Sequence, residues 1–137
     1  MVFESTITYV TIDNKGNDKG VKDNFIFENA ELFGEVESRL YEDFGELTNF
    51  EVAAIKKSKI KEIMNKREDE NEKVFVADIA STFLDEETGE EKVTVNKIAL
   101  YAENYDVAYN RITEYLKQGY QDLELISLKK TKFVDIL

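Results

Sequence analysis

The sequence predicts an α+β fold: two tandem strand-strand-helix-strand repeats with pseudo-two-fold symmetry, forming an antiparallel sheet with the helices on one side. Two observations carry this expectation. The first is an internal match between Phe50-Glu-Val-Ala-Ala-Ile-Lys-Lys-Ser-Lys-Ile-Lys-Glu-Ile63 and Leu123-Glu-Leu-Ile-Ser-Leu-Lys-Lys-Thr-Lys-Phe-Val-Asp-Ile136. It superposes Glu51 on Glu124, Lys56 and Lys57 on Lys129 and Lys130, Ser58 on Thr131, and Lys59 on Lys132. The second is the order of hydrophobic periods, which runs period two, period two, helical, period two, and then repeats. At 137 residues the chain has the length of one domain. We read 1–137 as a single domain built of two repeats, about 1–64 and 74–137, joined by a polar linker, 65–73, that holds no apolar residue.

In the first repeat, Phe3, Ile7 and Tyr9 alternate with polar or β-branched residues over Val2 to Ile12, as in a half-buried strand. Asp13 to Gly20 is a turn cluster, and Val21 to Phe27 returns as the partner strand. From Asn29 to Phe44 the period becomes helical, with Phe33, Val36, Leu40 and Phe44 inward and acidic residues between them; Gly45 ends the helix. Phe50 onward is a long third strand that runs into lysines. The second repeat follows the same plan. Val74 to Leu84 is a strand, Asp85 to Glu91 is an acidic turn with Gly89 at the left-handed position, and Val93 to Tyr101 returns. Asn104 caps a helix with Tyr105, Ala108, Ile112 and Leu116 inward. The alignment offset is one residue greater in the last strands than in the helices, which requires an insertion in the loop after the second helix. The expected core is Ile7, Tyr9, Phe25, Phe27, Val36, Leu40, Val52, Ile55, Phe83, Ile98, Leu100, Ile112, Leu116, Leu125 and Leu128.

The segment Thr82-Phe-Leu-Asp-Glu-Glu-Thr-Gly-Glu-Glu-Lys92, the helix Ala30-Glu-Leu-Phe-Gly-Glu-Val-Glu-Ser-Arg-Leu40 and the strand from Phe50 to Ile63 together resemble a family of small proteins of unknown function from Bacteroidetes and their phages. The resemblance covers nearly the whole chain and implies a phage or mobile-element origin. It brings no activity with it.

Composition narrows the chemistry. The chain has no His and no Cys, which removes the commonest general base, metal ligand and activated nucleophile. No phosphate-loop, dinucleotide or nucleophile-elbow motif occurs. We therefore expect no enzyme and no cofactor. The acidic turn 85–91 lacks the ligand spacing of a calcium loop and reads as a solvated hairpin tip. A net charge of −11 opposes adsorption to nucleic acid or anionic membrane, no apolar run is long enough to span a bilayer, and the first residues lack signal-peptide character. The expected location is the cytoplasm of a bacterial host cell.

Two surface features remain. Glu31, Glu35, Glu42 and Asp43 mark an acidic helix face suited to the basic groove of another protein, and electrostatic steering would speed that encounter. On this ground the first expectation is a non-catalytic, phage-type acidic protein that engages a protein partner, a host or phage factor that handles nucleic acid. The alternative is direct binding of nucleic acid or a nucleotide through Lys56, Lys57, Lys59, Lys129, Lys130 and Lys132, with Phe133 or a Tyr stacking a base. Lysines at strand edges also block edge-to-edge aggregation, and because duplication copies a solubility device as readily as a site, the solubility role is the simpler explanation of them. A third reading is a structural or oligomer-forming protein. The sequence does not fix an oligomeric state.

Overall fold

The computed structural model describes residues 1–119 and 122–137. Among the described residues ten elements follow one another: β1 (Phe3–Ile12), β2 (Asp18–Phe27), α1 (Phe33–Phe44), β3 (Glu51–Lys57), β4 (Ile60–Ile63), β5 (Lys73–Leu84), β6 (Glu91–Ala102), α2 (Tyr105–Lys117), β7 (Asp122–Lys130) and β8 (Phe133–Ile136). The fold is mixed α/β and mostly strand. The chain divides into two compact units, residues 1–58 with 132–137, and residues 59–131.

In the first unit the sheet order is β3-β1-β2-β8. The β1/β2 hairpin pairs Phe3 with Phe27 and Ile7 with Asp23, turning at Gly16, whose φ of 81° suits a residue without a Cβ. Strand alternation sends Phe3, Ser5 and Ile7 to one side. There Phe3, Ile7, Phe25 and Phe27 meet Ala30, Val36 and Leu40 of the helix segment to form the core.

In the second unit the order is β4-β6-β5-β7. Phe75, Ala77 and Ile79 of β5 join Ile98, Leu100 and Leu128 against Ala108 and Ile112 of α2. The Asn104 side chain accepts a hydrogen bond from Val107 N at 2.9 Å, the expected N-cap. Gly89 takes the left-handed conformation with φ 72°.

The expected single antiparallel sheet is corrected on three points. The described residues form two four-stranded sheets, and each helix packs on its own. Each sheet is mixed, because β8 pairs parallel with β2 and β4 pairs parallel with β6. The long third strand is broken after Lys57, and its continuation, β4, belongs to the second unit's sheet. A four-residue strand reached by a crossover, rather than by a tight hairpin, is free to run parallel, and it is too short to show alternation.

Of the expected core, Phe83 is 42% exposed, and of the helix positions expected to point inward, Phe33 and Tyr105 are 48% and 53% exposed. Phe83 lies on the hairpin beyond the reach of α2. Phe33 and Tyr105 open their helices, where side chains lean back past the first turn; Phe33 still meets Phe3 edge to face at 5.0 Å. The insertion expected in the loop after the second helix falls at residues 120 and 121, outside the described residues.

Residues 65–73 lie in the second unit. The Asn65 carboxamide accepts from Tyr101 N at 2.7 Å and donates to Tyr101 O at 3.1 Å, extending the β4/β6 pairing. Arg67 stacks over the Tyr101 ring at 5.0 Å. Glu72 is 3% exposed; its carboxylate accepts from Glu68 N, Asp69 N and Arg111 Nη1. Burial alone would raise the Glu72 pKa, but these donors outweigh it and hold the carboxyl below the usual range.

Candidate anion-binding cavity

The break between β3 and β4 divides the first lysine segment, and the break between β7 and β8 divides the second. Lys56, Lys57 and Lys132 belong to the first unit, and Lys59, Lys129 and Lys130 to the second. Each unit thus carries two lysines of one segment and one of the other, and all six are exposed.

In the first unit, Lys56 and Lys132 line one cavity of about 390 Å³ together with Glu4, Ser5, Thr6, Asn24, Ala54 and Phe133. That volume lies within the roughly 300–1,000 Å³ of small-ligand sites. The strands explain the grouping. Register places Glu4 opposite Lys56, and Thr6 opposite both Asn24 and Ala54, so these residues share the sheet face turned away from α1. The parallel pairing of Asn24 with Phe133 brings in β8, and Lys132 precedes it directly.

Polar chemistry there is well supplied. Thr6 Oγ1 donates to Asn24 Oδ1 at 2.7 Å, which leaves the Asn24 Nδ2 hydrogens as donors. Among the described residues the side chains of Glu4, Lys56 and Lys132 form no hydrogen bond or ion pair. Ser5 is 2% exposed and its Oγ has no hydrogen-bond partner among the described residues. Alternation turns that hydroxyl toward Phe3 and Ile7, so Ser5 meets the cavity through its backbone.

The matching row of the second sheet is chemically closed. Asp78 of β5 faces Lys97 and Ser127, as Thr6 of β1 faces Asn24 and Ala54. Lys97 Nζ donates to Asp78 Oδ1 at 2.8 Å and Ser127 Oγ to Oδ2 at 2.9 Å. Lys97, then Ser127, hold the Asp78 carboxyl below its usual range against the opposing effect of burial, and the Lys129 charge adds to this. A row that is already neutralised has little left for a ligand.

A second, shallower cavity of about 620 Å³ lies in the second unit, lined by Met64, Asn65, Asn110, Arg111, Glu114, Tyr115 and Gln118. Its charged anchor is occupied, since Arg111 is bonded to Glu72 and to Tyr101 O. Tyr115 donates to Glu62, and that carboxylate pushes the phenol pKa up to about 12.

The acidic residues expected to form a protein-binding face lie on or just before α1. Glu31, Glu35, Glu42 and Asp43 are all exposed. Glu35 Oε2 accepts from Glu31 N at 3.4 Å, and no basic residue occupies the last turn. Exposed Phe33 and Tyr41 lie on the same helix, the latter edge to face with Phe50 at 5.1 Å. In the acidic hairpin tip, Lys92 pairs with Asp85 at 2.7 Å. Among the described residues no group of three or more metal-type side chains stands together, and no helix is long and apolar enough to cross a membrane.

The sequence singled out the lysines and Phe133 but missed Glu4, Thr6 and Asn24, which only strand register brings beside them. Fold and cavity together define a mostly-strand α/β protein with a lysine-lined concavity on one sheet. The chain belongs to the family described as a domain of unknown function (DUF4494), which matches residues 1–137. No curated protein and no solved structure matches it.

Proposed function

We propose that this protein is a non-catalytic binding protein whose first-unit cavity takes a phosphate-bearing ligand, a nucleotide or a nucleotide unit of a nucleic-acid strand. The carrying observation is that Lys56 and Lys132, from opposite halves of the chain, line one cavity with the Phe133 ring. Two ammonium groups without partners among the described residues suit a phosphate, and an aromatic ring suits a base. A local cationic site of this kind is what an acidic protein needs to bind an anion.

The duplication belongs to this reading. Two strand-strand-helix-strand repeats with pseudo-two-fold symmetry are supported by the matched segments and by the recurring element order, with one copy of the sheet row closed by Asp78 and the other left open for a ligand. The resemblance to Bacteroidetes and phage proteins supports placing the ligand in the cytoplasm of a bacterial cell.

The test is fluorescence anisotropy of labelled nucleotides and short single-stranded oligonucleotides, titrated with protein at rising salt. Binding should weaken linearly on a log-log salt plot and vanish in Lys56→Glu/Lys132→Glu. No binding at low salt overturns the reading.

A second reading is favoured by one observation. Glu42 and Asp43 sit at the negative end of the α1 dipole with no basic residue in the last turn, a placement that opposes helix stability and that a cationic protein partner would relieve. Glu42→Lys/Asp43→Lys should abolish binding of a lysine-rich peptide while raising the melting temperature. Unchanged peptide binding rules this reading out.

A further inference from the structure

The cavity that holds two lysines also holds a carboxylate. Glu4 lies directly opposite Lys56 in the β1/β3 register, both side chains line the cavity, and among the described residues neither is engaged in a hydrogen bond or ion pair. A site meant only for a bare polyanion would gain nothing from a carboxylate, which repels any second anionic group. Its presence calls for a ligand that brings hydrogen-bond donors as well as phosphate.

We propose that Glu4 selects guanine, so that the ligand is a guanine nucleotide, free or within a single strand. This deepens the phosphate-site reading and rests on it. The guanine edge presents its ring N–H beside its exocyclic amino group, two parallel donors that match the two acceptor oxygens of a carboxylate. Uracil offers one ring N–H flanked by carbonyl oxygens, which a carboxylate repels. Adenine and cytosine offer an amino group beside an acceptor nitrogen, and so make only one of the two bonds. The other cavity residues fit the same ligand. Lys56 and Lys132 take the phosphate, the Phe133 ring offers a stacking surface, and the Asn24 Nδ2 hydrogens, left available by the Thr6 bond, face a ring acceptor or a sugar oxygen.

The experiment is isothermal titration calorimetry of the full chain with guanosine monophosphate, uridine monophosphate and inorganic phosphate, repeated with Glu4→Gln. The wild-type protein should bind the guanine nucleotide about tenfold more tightly than the uracil nucleotide. In Glu4→Gln that ratio should collapse toward unity, with uridine monophosphate and phosphate binding no weaker than before because a repelling charge has gone. Equal affinity for both nucleotides in the wild type overturns the guanine assignment while leaving the phosphate site standing, as does a ratio unchanged by Glu4→Gln. Failure of all three ligands to bind overturns the phosphate site and the assignment with it. A parallel arm with single strands ending in guanine or uracil separates the two sources. The same preference with tighter binding to the strand identifies nucleic acid, and preference confined to the monophosphate identifies a free nucleotide; a uracil preference in both arms refutes the assignment.

Discussion

Arg111 Nη1 lies 2.6 Å from Glu72 Oε2, and the Glu72 side chain is 2% exposed while that of Arg111 is 32% exposed. A carboxylate this far out of water depends on its partner. Arg111→Ala should destabilise the protein by about 2–4 kcal/mol, below the upper range for fully buried pairs because the arginine is partly solvated. Urea unfolding measures it, and a loss under about 0.5 kcal/mol would show that the backbone donors suffice.

Acid should unfold the second unit through the same group. The Glu72 and Asp78 carboxyls are held below their usual range in the folded state, so their contribution is present above the unfolded pKa and disappears as pH falls through the folded one. Stability should therefore decline below about pH 4.5, and Glu72→Gln should flatten that decline. Thermal melts from pH 7 down to pH 2 give the slope; identical slopes in the two proteins would contradict the assignment.

Ser5→Ala should stabilise the protein. Ser5 sits between Phe3 and Ile7 with a buried hydroxyl that has no partner among the described residues, and in the second unit the same place between Phe75 and Ile79 is taken by Ala77. Relief of that burial is worth about 1 kcal/mol. Calorimetric melting reads the change, and a lower melting temperature would mean that the hydroxyl has a partner after all.

Tyr115 should ionise well above the ordinary tyrosine range. Difference absorbance between the wild type and Tyr115→Phe isolates its titration, expected near 12, and Glu62→Gln should bring it back toward the ordinary value. The hydrogen bond contributes stability below the unfolded phenol pKa and loses it as pH rises through the folded one. A titration near pH 10 in the wild type would show that the bond does not persist in solution.

Among the lysines, position in the fold should decide the outcome. Lys130→Glu, on β7 opposite Phe75, should leave nucleotide binding within about twofold, whereas Lys56→Glu should weaken it by at least tenfold. Equal effects would point to diffuse attraction instead of a site.

The local elements were legible from the sequence because local chemistry sets them. Alternation wrote β1 and β5, a three-four spacing wrote the helices around Val36, Leu40, Ala108 and Ile112, and Asn104 and Gly89 marked a cap and a turn. The exclusion of His and Cys chemistry needed no coordinates at all. Tertiary structure alone decided where β4 and β8 pair, because four residues carry too little periodicity and a crossover leaves their direction open. That choice assembles the site: β8 brings Lys132 and Phe133 beside Asn24, register sets Glu4 against Lys56, and neither relation is encoded in residues close enough in sequence to be read together.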